Sequence, residues 1–201
     1  MNNITIAILF LIIALLVAIF FKPSKITNYP SVGSSIVMLG DSLTYGVGAS
    51  EGKDLPALLS KKIGMHVVNM GVPRETTGEG LKRVEKVIDT NPRVVLVLLG
   101  GNDYLQHVPQ EETFRNIDEI VTTLQEFGAV VVLLGIQGGI LSDSYASEFK
   151  KIAKNRGTLY VPNVLDGIIG HNELMSDQVH PNDDGYEIIA KKIYPVLKKA
   201  L

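Results

Sequence analysis

Cysteine is absent from the 201-residue sequence. This absence excludes a disulfide framework, a thiolate metal site and a cysteine nucleophile, and it leaves the redox compartment open. Neither sign of charge is in large excess, because the formal net charge is -2 and the pI is near 6.1. No basic stripe with interleaved aromatic residues is present, so nucleic-acid binding is not expected. Without cysteines or clustered carboxylates, the sequence indicates no metal site and no other cofactor.

Hydrophobic residues make up 46% of the chain and charged residues 20%. A chain of this length and composition can bury one domain core, but it is too short for two full domains. No internal repeat and no low-complexity tract divides it. We therefore expect one globular domain, which covers residues 35–201.

One long uncharged run covers residues 4–21, about the minimum length that crosses a bilayer as a helix. Lys22 and Pro23 end the run. A secretory signal normally has basic residues before its apolar run and a small-x-small cleavage motif after it, and neither is present here. We predict an uncleaved single-pass membrane anchor within residues 1–25; a cleaved signal and a buried core helix are the alternatives.

The lysines beside this run bear on which side of the membrane the domain lies. Lys22 and Lys25 follow the run, and by the positive-inside tendency they favour a cytoplasmic domain. Residues 26–34, which include Pro30 and Gly33, predict a short linker between the anchor and the globular domain.

From residue 35 onward, short β-branched runs alternate with longer amphipathic stretches. This alternation is typical of a parallel sheet covered by helices on both faces. With right-handed crossovers it predicts an α/β fold, a flavodoxin-like, doubly wound, five-stranded parallel sheet. The predicted strands are residues 36–39, 65–69, 93–99, 129–136 and 159–161.

Capping residues and apolar periodicity predict the helices between these strands. Asp54 caps a helix that runs to about residue 63, and Thr76 or Thr77 caps a second helix. Glu79, Lys82, Arg83 and Glu85 fall on the face of that second helix that is expected to contact water. Further helices are predicted between Pro109 and Gly128, over residues 142–155 and over about residues 183–197.

Polar loops follow several of the predicted strands. Ligands of doubly wound sheets bind beyond the carboxyl ends of the strands, where these loops lie. Acyl transfer needs a hydroxyl nucleophile, an imidazole, a carboxylate that orients it, and donors for the oxyanion. Asp177 and His180 are three residues apart, so one short turn can present both beside Ser42. The alternative is that Ser42 only caps a βα turn.

The polar loops resemble, in order, the sequence blocks of the SGNH (GDSL) esterase and lipase family. The blocks are Gly40-Asp41-Ser42-Leu43, Asn69-Met70-Gly71, Gly100-Gly101-Asn102-Asp103 and Asp177-Gln178-Val179-His180-Pro181. The resemblance covers residues 35–201 and is strongest to the small bacterial thioesterase/lysophospholipase type. It implies that Ser42 is the nucleophile, His180 the general base and then acid, and Asp177 its orienting carboxylate. It also implies that the Ser42 N–H and the Asn102 side chain donate to the oxyanion.

One position departs from the family pattern. The second block of the family usually runs Asn-x-Gly-x-x-Gly, and its second glycine gives a backbone N–H to the oxyanion hole. Arg74 occupies that position here, so Arg74 and Gly71 are the candidate backbone donors. If the position requires a positive φ, arginine is strained there. Our hypothesis is that Arg74 narrows the pocket or contacts an anionic substrate group; the alternative is that it only lines the pocket rim.

The sequence therefore predicts a metal-independent serine esterase that acts on carboxylic esters or thioesters through an acyl-enzyme on Ser42. Lysophospholipids and short- to medium-chain acyl esters are the expected substrates. The alternatives are a carbohydrate O-acetyl esterase with the same site and a membrane-anchored binding module with weak chemistry. A phosphatase with Asp41 as nucleophile is disfavoured, because Leu43 stands where that chemistry needs a second carboxylate.

The expected partners are a small-molecule or lipid ester and, through residues 4–21, a membrane. The family resemblance implies an extracytoplasmic catalytic domain, against the weak lysine bias. Nothing in the sequence indicates the oligomeric state. His180 must be neutral to accept the serine proton, so we expect activity to fall when acid protonates its imidazole.

Overall fold

A computed structural model of the chain describes residues 26–137 and 143–201. The membrane anchor predicted for residues 4–21 lies outside the described residues. None of the helices within the two described ranges combines the length and the apolar character that a bilayer-spanning segment needs.

Five parallel strands form a single sheet, and their order is β2-β1-β3-β4-β5. This is the flavodoxin-like, doubly wound order, which confirms the predicted sheet. The described strands are β1 (Ser35–Gly40), β2 (Val67–Gly71), β3 (Pro92–Leu98), β4 (Val130–Leu134) and β5 (Leu159–Val161). β2 lies about two residues later in the chain than the sequence predicted.

Helices cover both faces of this sheet. The described α-helices are α1 (Ser42–Tyr45), α2 (Leu55–Ile63), α3 (Thr77–Lys82), α4 (Val84–Ile88), α5 (Gly101–Leu105), α6 (Gln110–Phe127), α7 (Asp143–Arg156) and α8 (Asp183–Leu197). Short 3-10 turns at Asn172–Leu174 and Lys198–Ala200 complete the set. The predictions omitted α1 and α5, which are single turns directly after β1 and β3. The predicted start of α7 at residue 142 lies outside the described residues.

Two apolar cores lie on opposite faces of the sheet, because successive side chains of a strand point to opposite faces. In β3, Leu96 and Leu98 pack against α2 and α8, whereas Val95 and Val97 pack against α4, α6 and α7. All four side chains are fully buried. Burial on both faces explains why β3 is a continuous apolar run with no polar alternation.

Side-chain caps fix the ends of the helices that precede and follow the polar loops. The Asp54 carboxylate accepts the Ala57 N–H at the start of α2, as predicted. Thr76 and Glu79 form a reciprocal capping box at the start of α3. The single helix predicted after Thr76 is divided at Arg83, whose backbone leaves the helical region at φ -116° and ψ 12°.

The predicted linker, residues 26–34, packs along the amino-terminal edge of the sheet. Its donors bond carbonyls that precede β5, β4 and β3 in turn: Thr27 N–H to Gly157, Ser31 Oγ to Gly128 and Ser34 N–H to Asn91. The segment is therefore attached at the edge opposite the carboxyl ends of the strands.

Gly71 at the end of β2 lies in close contact with the backbone of α1. A Cβ at this position would lie 2.1 Å from the Tyr45 backbone nitrogen. We expect Gly71→Ala to lower the free energy of unfolding by about 1–3 kcal/mol, because the overpacking must displace α1. Urea unfolding of the purified variant measures this change.

Gly78→Ala is the matched control, because a Cβ there would meet only Asn116 Nδ2, at 3.5 Å. Alanine in α3 should be neutral or should stabilise by up to about 1 kcal/mol. Equal stability of the two variants would contradict the close packing of Gly71 on α1.

Candidate active site

The carboxyl ends of β1 and β3 place the candidate catalytic loops side by side. β1 lies between β2 and β3. The chain passes from β1 to β2 on one side and then crosses to β3 on the other side of β1, so the strand order reverses there. Crevices at such switch points are the ligand sites of doubly wound sheets. Ser42 follows β1 and Asn102 follows β3, so both lie at this crevice.

Ser42, His180 and Asp177 form a continuous chain of hydrogen bonds. The Ser42 Oγ and His180 Nε2 atoms are 2.9 Å apart, and His180 Nδ1 is 2.7 Å from Asp177 Oδ2. With Nδ1–H donating to the carboxylate, Nε2 is left to accept the serine proton. The structure therefore brings together all three predicted members of a nucleophile, base and carboxylate triad.

Asp177 is held by its own turn as well as by the imidazole. Its Oδ1 atom accepts the backbone N–H groups of Val179 and His180, both at 2.8 Å. Partial desolvation raises the pKa of Asp177, but the His180 ring and these N–H groups outweigh it and hold the pKa below its usual value. The carboxylate is thus ionised and oriented when the imidazole needs a counter-charge.

The loop that carries His180 packs against the loop that follows Ser42. A Cβ on Gly48 would lie 2.1 Å from Ser176 Oγ, so only glycine permits this approach. Tyr186, which is fully buried in α8, donates its hydroxyl to the Val47 carbonyl at 2.8 Å. These contacts fix the distance between His180 and Ser42, and the sequence patterns did not identify Tyr186.

Asp41 supports the candidate nucleophile by capping α1, the helix that begins at Ser42. Its Oδ1 atom accepts the Leu43 N–H at 3.0 Å, and its Oδ2 atom accepts Asn102 Nδ2 at 3.3 Å. Burial raises the pKa of Asp41 to about 7, and the bond from Leu43 opposes that rise. Because Ser42 is the first residue of α1, its N–H has no partner within the helix.

Asn102 joins the two sides of the crevice. Besides Asp41, its Nδ2 atom donates to the Glu75 carbonyl at 3.0 Å. The longer bond, to Asp41, is the one that a substrate oxyanion can most easily replace or share. The Asn102 amide group therefore lies at the crevice just beyond the end of β3.

Arg74 occupies the third position of a tight turn at the mouth of the crevice. The Glu75 N–H donates to the Val72 carbonyl at 3.2 Å, Pro73 is the second residue, and Arg74 has φ 69°. These features describe a type II turn, in which glycine is normal at the third position. The hydrogen bond of the turn does not use the Arg74 N–H, so this backbone donor is retained. The backbone strain that a positive φ would impose on arginine is present.

A buried ion pair supports this turn from below. Arg83 Nε and Glu75 Oε1 are 2.5 Å apart, and Arg83 also donates to the Met70 carbonyl at 2.7 Å. Glu75 is 5% exposed. The sequence placed Arg83 on the water-facing side of a helix, which was wrong, because the guanidinium turns inward to the ends of β1 and β2. Glu75 and Arg83 are eight residues apart and pair across a loop, so no helix or strand periodicity in the sequence indicates their contact.

Gly71, the other candidate backbone donor, has an N–H group that is engaged within its own loop. Its N–H donates to Asn69 Oδ1 at 2.9 Å, so the group is already used within the loop. Its close approach to α1 explains the glycine instead.

A cavity of about 470 Å³ opens beside Ser42. Its walls are mostly apolar, and the polar residues that line it include Ser42, Asn102 and His180. The apolar lining residues are Leu43, Tyr104, Leu105, Ile136, Leu165, Ile169 and Val179. Among residues 26–137 and 143–201, no cluster of three His, Asp or Glu side chains could hold a metal ion.

The raised pKa of Asp41 predicts a pH-dependent contribution to stability. A folded-state pKa of about 7 against 3.8 means that the contribution is present at acid pH and is lost as pH rises through 7. We expect Asp41→Asn, which can still accept the Leu43 N–H, to remove this loss. The free energy of unfolding, measured from acid to mildly alkaline pH, should fall more steeply in the wild type.

Asp89→Asn is the control for this prediction, because Asp89 is an exposed carboxylate at the end of α4. If the wild type and the Asp41→Asn variant changed in parallel with pH, burial of an ionisable Asp41 would not be a factor in stability.

Comparison with known proteins agrees with this geometry. The GDSL-like Lipase/Acylhydrolase family profile matches residues 38–188. An arylesterase of Vibrio mimicus is 30% identical over 178 residues, which cover 83% of this chain and 89% of that protein. The thioesterase 1/protease 1/lysophospholipase L1 of Escherichia coli K12 is 28% identical over 185 residues, 86% of this chain and 89% of that protein.

A solved structure gives the same result for the fold. The crystal structure of TesA superposes with a TM-score of 0.79 at 27% identity, covering 84% of this chain and all of that one. With the matched profile, the ordered sequence blocks and the fold in agreement, the chain belongs to the GDSL-like lipase/acylhydrolase family of ester-hydrolysing serine hydrolases.

Proposed function

We propose that the chain hydrolyses carboxylic esters or thioesters through an acyl-enzyme on Ser42. The observation that carries the proposal is the hydrogen-bonded chain Ser42–His180–Asp177, with its 2.9 and 2.7 Å distances, at the wall of an apolar cavity. Ester hydrolysis itself follows from the family; the assignment of roles to residues is our inference.

The first half-reaction forms the acyl-enzyme. Ser42 Oγ attacks the carbonyl carbon of the ester while His180 Nε2 takes the serine proton. Asp177 stabilises the imidazolium, because its ionised carboxylate accepts the Nδ1–H. When the tetrahedral intermediate collapses, the bond to the leaving oxygen or sulfur breaks, and His180 returns the proton to that atom.

The second half-reaction releases the acid. His180 takes a proton from a water molecule, whose oxygen attacks the acyl carbon and forms a second tetrahedral intermediate. Collapse of this intermediate breaks the bond to Ser42 Oγ, which recovers a proton from His180. The product is a carboxylic acid, and the enzyme returns to its starting state.

Three donors can stabilise the oxyanion in both intermediates. They are the Ser42 N–H at the start of α1, the Asn102 side chain and the Arg74 N–H, which the type II turn leaves free. Backbone donation survives the change from glycine to arginine because the turn retains its positive φ. The retained turn argues against the binding module with weak chemistry. Removal of one such donor typically lowers kcat by about 10²–10³-fold.

The cavity supports acyl groups of short to medium length as substrates. Its apolar walls lie beside Ser42, and the apolar side chains of Leu105 and Val179 at its rim are exposed. Such walls suit a hydrocarbon chain better than a sugar, so we prefer acyl esters, including lysophospholipids, to carbohydrate O-acetyl groups. A nucleophilic Asp41 is not supported, because Leu43 and Asn102 occupy both of its oxygens.

We further propose that residues 4–21 anchor the chain in a membrane, with the catalytic domain outside the cytoplasm. Residues 26–34 join the domain at the amino-terminal edge of the sheet, whereas Ser42 lies at the carboxyl edge. β3 spans seven residues at roughly 3.3 Å each, which places roughly 20 Å between the two edges. An anchored domain would thus hold its site away from the point of attachment.

Fluorophosphonate labelling tests the nucleophile. We expect a fluorophosphonate probe to modify the wild-type protein at Ser42 and to leave Ser42→Ala unlabelled, with a loss of at least about 10³-fold in ester hydrolysis. Ser35→Ala is a matched control, because that serine lies at the opposite end of β1. A folded wild-type protein that takes up no label would overturn the acyl-enzyme proposal.

Fractionation tests the anchor. The full chain should sediment with membranes and stay there in high salt, whereas a fragment of residues 26–201 should remain in the supernatant. Recovery of the intact full-length chain in the supernatant would contradict the anchor and leave the catalytic proposal untouched. Protease added to intact cells should cut the domain if it lies outside the cytoplasm.

A further inference from the structure

We propose that Arg74 makes this esterase selective for esters that carry an anionic group, a phosphate or a carboxylate, on the leaving alcohol or on the acyl chain. This inference rests on the proposed esterase function and adds a substrate class to it. Three features of Arg74 support it: the positive φ of its turn, its place in the cavity wall and the charges of its neighbours.

The turn itself gives no structural reason for arginine. Position 74 is the third residue of a type II turn at φ 69°, where glycine has no steric cost and a long side chain is disfavoured. Gln106 Nε2 donates to the Arg74 carbonyl at 3.1 Å, and any residue would supply that carbonyl. The side chain is exposed, so it adds no buried packing. Arginine therefore costs conformational free energy at this position, and neither the Gln106 hydrogen bond nor buried packing of its side chain offsets that cost.

The side chain does line the cavity beside Ser42. Of the residues that line this cavity, Arg74 is the one permanent cation in the described part of the chain, since His180 must be neutral to act as a base. A guanidinium is a planar, always-charged donor that matches carboxylate and phosphate oxygens with paired hydrogen bonds.

The carboxylates nearest in sequence already have other partners. Glu75 is paired with Arg83 below the turn, and Glu79 accepts the backbone and hydroxyl of Thr76 in the capping box. Asp41 is buried and turned toward Leu43. Within residues 26–137 and 143–201, Arg74 has no ion pair, so its charge is free to meet a ligand.

Apolar walls and a single cation at the mouth suit an amphiphilic, anionic ester. The anion can lie on either side of the scissile bond: on the leaving alcohol, as in an acylglycerol phosphate, or on the acyl chain, as in a dicarboxylic acid monoester. Both join an anionic group to an apolar chain, and they differ in which product carries the charge.

Two matched substrate pairs test the proposal. The first is 1-decanoylglycerol and 1-decanoylglycerol 3-phosphate, and the second is phenyl hexanoate and the phenyl monoester of adipic acid. The readout is the ratio of kcat/KM for the anionic ester to that for the neutral ester, measured below micelle concentrations. Because the ratio compares two substrates of one enzyme, changes in the oxyanion hole cancel to first order.

We expect Arg74→Gln, which removes the charge but keeps the turn strain and much of the length, to lower the ratio by about fivefold to tenfold in one pair. Arg74→Lys should keep most of the ratio. Raising the salt concentration should compress the ratio of the wild type, because the site is open to solvent. Arg115→Gln makes the same charge change at an exposed position of α6 and should leave the ratio unchanged.

The pair that responds identifies the side of the bond that carries the anion. The selectivity would be overturned if the ratio were the same in the wild type, Arg74→Gln and Arg115→Gln. Hydrolysis of the neutral esters in that case would leave the esterase function intact. Failure of the wild type to hydrolyse any of the four esters would count against both. Arg74→Gly, which relieves the turn, gives a second neutral variant if Arg74→Gln folds poorly.

Discussion

The ion pair between Glu75 and Arg83 is the contact on which one half of the site depends. It lies beneath the turn that carries Arg74, and Arg83 also bonds the carbonyls at the ends of β1 and β2. The Glu75 carbonyl accepts the Asn102 side chain, so the same residue positions the end of β3. Buried charges are costly unless every donor and acceptor has a hydrogen-bond partner. Here those partners lie at the ends of three strands, β1, β2 and β3. Two of the oxyanion donors that we propose, Asn102 and the Arg74 N–H, are thus positioned by charged and hydrogen-bonded groups rather than by apolar packing.

The other half of the site is fixed by close packing. Gly48 lets the loop after α1 approach Ser176, and the buried hydroxyl of Tyr186 bonds Val47. Through these contacts the loop that precedes α8 holds His180 beside Ser42, although the two are 138 residues apart in the chain. Acyl transfer requires both halves at once, because the serine must be near the base and the carbonyl oxygen near its donors. The β1–β3 switch point is where the two sets of constraints meet.

The sequence predicted the parts of this arrangement that leave a local pattern. β3 has an uninterrupted apolar run because it is buried on both faces, and Asp54 and Thr76 mark helix starts because caps act within one turn. Ser42, Asp177 and His180 were predicted from the ordered family blocks, and the structure places them within hydrogen-bond distance. The role of Arg83 and the engaged N–H of Gly71 could not be predicted, since both depend on contacts between separate loops. α1 and α5 were missed because a single helical turn has no periodicity to detect.

The position of the site on the domain and the charge of Arg74 limit the substrate in complementary ways. Residues 26–34 are bonded to the edge of the sheet opposite Ser42, so the membrane anchor that we propose for residues 4–21 would leave the site facing away from its own attachment. A substrate must then reach the cavity through water. Long-chain lipids leave a bilayer poorly, because each buried CH₂ contributes about 0.8 kcal/mol. An anionic group raises the solubility of an amphiphile and gives Arg74 a group to bind, whereas the apolar cavity still requires a hydrocarbon chain. These requirements together favour a water-borne ester with a short or medium chain and one anionic group.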